Sequence, residues 1–109
     1  MLASGACASI ARGIKMRRAA RTDANHAEIR DALRGVGASV FDTHFVGRGF
    51  PDIVVGFRGG NYLLEIKDGN KPPSRQKLTP DEREWHSLWN GSVIVVNSVD
   101  AALAAIGAI

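Results

Sequence analysis

Two apolar periods alternate along this chain, one helical and one strand-like, and the changes between them mark its elements. Ile29, Ala32, Leu33 and Val36 recur at helical spacing, which predicts a first helix over residues 25–34, stopped by Gly35 and Gly37. Residues 38–44 read as a strand with Val40 and Phe41 as apolar members. Gly47, Gly49 and Pro51 break any period and make 47–51 a loop. Two β-rich runs follow, 53–57 and 62–67, joined by Arg58-Gly59-Gly60-Asn61, and a glycine pair between such runs signals a hairpin. Residues 68–77 are polar, contain Pro72 and Pro73, and are expected to form a mobile basic loop.

A second helix opens at Thr79-Pro80-Asp81-Glu82, where Thr79 is the N-cap, Pro80 takes the first helical position and Glu82 completes a capping box. Trp85, Leu88 and Trp89 are expected to be its buried stripe, and Gly91 ends it. Residues 93–96 form a short apolar strand expected to be covered on both faces, and Ser98 caps a final alanine-rich helix ending near Ile106. The predicted order is α-β-β-β-α-β-α, an α/β domain without internal repeats.

The hairpin carries the chemistry. Centring its turn on Gly59-Gly60 sets Phe57 opposite Tyr62, Val55 opposite Leu64, Val54 opposite Glu65 and Asp52 opposite Lys67. Side chains alternate between faces, so Asp52, Val54, Glu65 and Lys67 share one side and Ile53, Val55, Leu64 and Ile66 the other. A slip of one residue would bury the charges, so the apolar pattern supports this phase. In that register Asp52 and Glu65 are diagonal neighbours, roughly 7–8 Å apart, close enough to converge on one hard cation with bonds of about 2.0–2.1 Å. The carbonyl of Ile66 offers a further oxygen, and Lys67 stands beside it to orient a water or balance charge on a phosphate. Hydrolysis of a phosphodiester calls for such a set: a cation that lowers the pKa of its water, and an ammonium that stabilises the transition state. The plainer alternative is a turn aspartate after a proline and a solvated Glu-x-Lys strand face.

With 109 residues there is room for one domain. No apolar run approaches the ~20 residues that span a bilayer, so no membrane segment is expected, and the lone Cys7 fits an intracellular, reducing compartment. The net charge of +3 is unevenly placed. Residues 1–22 carry Arg12, Lys15, Arg17, Arg18 and Arg21 and no acid, which marks a basic, flexible arm ahead of a folded domain over 23–109. Such an arm suits a polyanionic partner or is simply an unstructured leader, and Met16 offers an alternative start. His26 and His44 are isolated in sequence, His86 follows Trp85, and no Cys/His cluster exists, so zinc chemistry is not expected.

Pro51-Asp52 and Glu65-Ile66-Lys67 resemble the motif of the PD-(D/E)XK nuclease superfamily. Within it, Gly49-Phe50-Pro51-Asp52 and Leu78-Thr79-Pro80-Asp81-Glu82-Arg83-Glu84-Trp85 are similar to stand-alone VRR-NUC domains and Holliday-junction resolvases. The resemblance implies a restriction-endonuclease-like core of αβββαβ order with a C-terminal helix and a mixed four-stranded sheet. It also implies a Mg2+- or Mn2+-dependent DNA endonuclease with no small-molecule cofactor. Asp52 and Glu65 would be metal ligands and Lys67 the catalytic lysine. Relatives often add an acid on the first helix, where Glu28 is the candidate, although Asn25-x-x-Glu28 is equally a capping box. A polar residue near the second helix would be Gln76. Arg48, Lys71, Arg75 and Lys77 flank the hairpin as candidate phosphate contacts, or as solvated loop charges.

The expected substrate is branched DNA of the Holliday-junction kind, cut by a homodimer in the cytoplasm, or in a host's cytoplasm if the chain is phage-encoded. The rival readings are a single-strand or flap nuclease in phage replication or repair, and a DNA-binding module of the same fold that does not cut.

Overall fold

The computed structural model describes residues 22–109, and the basic arm expected over residues 1–22 lies, but for Thr22, outside the described residues. The predicted element order is present: α1 (His26–Gly35), β1 (Ser39–Asp42), β2 (Ile53–Phe57), β3 (Gly60–Ile66), α2 (Pro80–Leu88), β4 (Ile94–Val96) and α3 (Val99–Ala105). The four strands form one mixed sheet in the order β1-β2-β3-β4. Its first two pairings are antiparallel and the β3–β4 pairing is parallel, with α2 in the crossover that a parallel pair requires.

One face of the sheet is apolar because β2 alternates strictly, with Ile53, Val55 and Phe57 buried. Those side chains, with Leu64, Ile66 and Val96, meet Ile29 and Leu33 of α1 and Ala102 of α3, together with Ile106 just beyond it. Helices α1 and α3 pack against each other over this face. The opposite face carries Asp52 and Glu65.

The hairpin differs from expectation in register. Ile53 pairs with Leu64, Val55 with Tyr62 and Phe57 with Gly60, so the turn is the two residues Arg58-Gly59 and not a loop centred on Gly59-Gly60. Both turn residues take positive φ, 50° and 83°, as a type I′ turn requires, and its twist matches that of the strands. The displacement is by two residues in the pairing, so each side chain keeps its predicted face. Its consequence is local: just before β2 the Asp52 N–H donates to the carbonyl of Leu64, and Lys67 is not placed across the strand from Asp52.

Other expectations also need correction. Helix α2 has no buried residue; of the expected stripe, Leu88 is 72% and Trp89 44% exposed, and only Trp85 is half-buried, against Phe50. The helical spacing was real, but the side of α2 that meets the sheet carries Glu82 and His86. Strand β4 is covered on one face only, with Val96 buried and Val95 45% exposed. The capping box read at Asn25 is absent, because the Asn25 side chain donates to the carbonyls of Lys67 and Asn97 instead. The loop over 68–77 is pinned by a 3-10 turn at Pro73–Arg75 and by Asn97 donating to Gln76 at 3.0 Å.

Candidate active site

Asp52 leads into β2, its N–H donating to Leu64 O, and Glu65 lies near the end of β3 beside it. The carboxylates are held differently. Asp52 Oδ2 accepts the backbone N–H of Ile66 at 2.7 Å, which fixes its orientation. Glu65 is 1% exposed, and its Oε1 is buried without a hydrogen-bond partner among the described residues.

Burial raises the Glu65 carboxyl to about 10, reinforced by the charge of Asp52 and its hydrogen bond, and by Glu82. Burial also raises Asp52, against the opposing Ile66 N–H. Two carboxyls this close in a dry site cannot both ionise easily, so the pair holds a proton at neutral pH.

Lys67 follows β3 and is drawn to α2. Its Nζ lies 2.7 Å from Glu82 Oε1 and 3.9 Å from Glu65 Oε2. Burial works against the Lys67 ammonium, but the hydrogen bond and charge of Glu82 and the charge of Glu65 outweigh it and hold its pKa above the ordinary lysine value. Burial likewise opposes the Glu82 carboxylate, which the Lys67 and Thr79 hydrogen bonds nevertheless keep below its ordinary value. His86, one helical turn after Glu82, places Nε2 3.8 Å from Glu65 Oε1, and burial lowers its pKa.

The structure therefore brings Asp52, Glu65 and Lys67 to one surface and adds Glu82 and His86 from α2. Sequence reasoning absorbed Glu82 into the capping box and left His86 aside. The signal was their i, i+4 spacing, which puts both on one side of a helix. Glu28 is exposed and lines a separate polar cavity with Asn25, Asp68, Asn97 and Asp100, away from the hairpin carboxylates. Gln76 is engaged with Lys71 and Asn97. Arg48, Lys71, Arg75 and Lys77 are all exposed, with Arg48 beside Trp85 and Leu88 on the outer side of α2.

From α1, His26 has an electrostatic effect on Asp52 that favours its ionised form. His26, Asp42 and His44, the two histidines read as isolated, come together with ligating atoms all within 4.8 Å of one another. A carboxylate pair with an orphaned buried oxygen, and nearby a His/Asp cluster, make this end of the sheet a candidate metal centre.

The chain matches no family model and no curated protein sequence. It is similar to a solved structure described as a VRR_NUC domain, with 26% sequence identity and a TM-score of 0.52 over 72% of this chain and 85% of that one. Strand order, hairpin and this similarity agree, and the chain has the VRR-NUC nuclease fold of the PD-(D/E)XK type.

Proposed function

We propose that the chain is a metal-dependent DNA endonuclease that hydrolyses phosphodiester bonds with Asp52, Glu65 and Lys67. The observation that carries this reading is a buried Glu65 with the half-buried Asp52 carboxylate beside it and a lysine Nζ 3.9 Å from Glu65, on a nuclease fold. A divalent cation fits the residues present, because the buried Glu65 Oε1 lacks a partner and the donor set is hard oxygen. Asp52, Glu65 and the Ile66 carbonyl would hold it; when bound, Mg2+ or Mn2+ supplies a water of lowered pKa and Lewis-acid polarisation of the phosphate.

The protein's own groups have distinct tasks. Asp52 is oriented by the Ile66 N–H. Lys67 presents a positive charge to a phosphate oxygen, and Glu82 holds that ammonium in place. His86, kept largely neutral by burial, can accept or pass a proton next to Glu65.

Branched DNA is the substrate we favour, bound by Arg48, Lys71, Arg75 and Lys77, with a homodimer supplying paired cuts. The matching compartment is the cytoplasm, or a host's cytoplasm for a phage-encoded chain; among the described residues no helix is long and apolar enough to cross a membrane. A single-strand or flap substrate is the second reading, favoured by the exposed Trp89 ring stacked on Trp85 at 4.8 Å, a surface suited to an unpaired base. Mg2+-dependent cleavage of a labelled four-way junction, a flap and a linear duplex of the same sequence tests both. Cleavage that survives Asp52→Ala or Lys67→Ala, or that ignores chelation, would remove the site assignment.

A further inference from the structure

His26, Asp42 and His44 form a cluster that the hydrolytic scheme does not use. His26 is in the first turn of α1, Asp42 ends β1, and His44 lies two residues on, so the sheet edge and the helix deliver these side chains to one point. The His26 ring is 4% exposed, and its Nε2 is 2.6 Å from Asp42 Oδ1. The two imidazole rings meet edge to face with centroids 5.4 Å apart. Nδ1 of His26 and Nδ1 of His44 are both buried without a hydrogen-bond partner among the described residues. Arg30 also faces the cluster, with Nη1 3.5 Å from Asp42 Oδ2, which leaves Oδ1 on the histidine side.

Buried imidazole nitrogens are ordinarily satisfied, and two orphaned nitrogens in one cluster call for a further partner. A proton shared between His26 and Asp42 accounts for one contact and leaves both Nδ1 atoms unexplained. A cation held by one ring nitrogen of each histidine and an Asp42 oxygen would give the cluster a further partner. Ligand bonds of about 2.0–2.2 Å place ligand atoms up to about 4 Å apart, so atoms within 4.8 Å need only a small contraction.

The donor set also selects the ion. Two imidazoles and one carboxylate suit Zn2+, Mn2+, Co2+ or Fe2+, whereas Mg2+ prefers oxygen and water.

We infer that His26, Asp42 and His44 form a second, transition-metal site that joins the start of α1 to the end of β1, separate from the carboxylates of the hairpin. Three protein ligands leave coordination positions open. The inference does not require the chain to cut DNA.

The test uses Co2+ as the probe on the full chain with Mg2+ in excess, read by its visible d–d absorption and by titration calorimetry. One Co2+ per chain is expected, weakened at least ten-fold by His44→Ala and by Asp42→Asn and retained in Glu65→Gln. Both altered positions are only partly buried, and circular dichroism checks their folding. In the unaltered protein, Zn2+ is expected to shift the imidazole NMR signals of His26 and His44 and leave His86 in place. Co2+ binding unchanged in both cluster variants would overturn the inference. So would binding lost only in Glu65→Gln, or Zn2+ shifts confined to His86.

Discussion

Glu82 Oε1 serves two donors at once: Lys67 Nζ at 2.7 Å and the backbone N–H of Thr79 at 2.9 Å. The capping box that starts α2 is thus also the support of the site lysine. Removing the carboxylate should cost cap stability, about 1 kcal/mol, and also free the ammonium to move. Thr79→Ala disrupts the same cap, because Thr79 Oγ1 accepts the Glu82 N–H, but leaves the ion pair's carboxylate in place. We therefore expect similar losses of stability in Thr79→Ala and Glu82→Ala, but a loss of cleavage rate of about 10–100-fold only in Glu82→Ala. Paired thermal melts and single-turnover rates check this, and equal rates in the two variants would sever Glu82 from the lysine.

That double role shows where sequence was informative. Thr79-Pro80-Asp81-Glu82 specified a helix start because capping is local chemistry, readable from four consecutive residues. The alternation in 53–57 specified the faces of β2, and hence that Asp52 and Glu65 share one. Which residues stand opposite each other was not legible in the same way. It depends on whether Arg58 accepts a left-handed conformation, and that conformation costs a non-glycine residue energy which strand pairing must offset. The orientation of α2 was hidden for a related reason. Trp85, Leu88 and Trp89 are apolar at helical spacing, yet the helix turns Glu82 and His86 toward charges on the sheet. His26, Asp42 and His44 meet only through tertiary packing of α1 on β1, so no local pattern announced them.

The buried Glu65 carboxyl, beside Asp52, should make the metal-free protein less stable as pH rises. Glu65 is raised from 4.5 to about 10 on folding, so between those values the folded state holds a proton that the unfolded chain has released. The slope of stability with pH is negative in that window, and this contribution is complete below the lower value and lost through the upper one. Glu65→Gln imitates the protonated form without the charge. In chelator at pH near 8 it should gain about 1–3 kcal/mol over the unaltered protein while losing cleavage. Added Mg2+ should stabilise the unaltered protein more at alkaline than at acid pH, since binding must displace the proton. Denaturant melts across pH, with chelator and with Mg2+, provide the measurement; a rise in metal-free stability through this window would refute the shared-proton picture.

Gly49 sets how close the loop before β2 comes to α2. It has φ of 83°, and a Cβ there would overlap the backbone carbonyl of Asp81. A flexible side chain can move away from such a clash, but a helix backbone cannot. Gly49→Ala should therefore lose about 1–3 kcal/mol and displace the first turn of α2, carrying Glu82 away from Lys67. Gly59→Ala is the comparison, since Gly59 has the same φ and open space around its Cβ position. Strain alone predicts equal effects on cleavage; a role for the Gly49 contact predicts that only Gly49→Ala loses rate beyond its loss of folded protein.

The outer side of α2 supplies the last prediction. Trp89 stacks on Trp85 at 4.8 Å, Phe50 meets Trp85 edge-on at 5.2 Å, and exposed Arg48 adjoins them, its backbone held at φ 56°. Because Trp89 is 44% exposed and closes no core contact, Trp89→Ala should change folding stability little. If its ring receives an unpaired base, affinity for a flap or junction should fall by about 1–3 kcal/mol while affinity for linear duplex is nearly unchanged. Lys71→Ala and Arg75→Ala should behave differently, weakening all DNA substrates alike and lowering the slope of log affinity against log salt by about 1 each. Binding isotherms with a catalytically silenced chain over a range of salt separate the two behaviours. Equal losses on duplex and branched DNA in Trp89→Ala would assign the aromatic face to general backbone contact, and no loss on either would leave it outside the DNA interface.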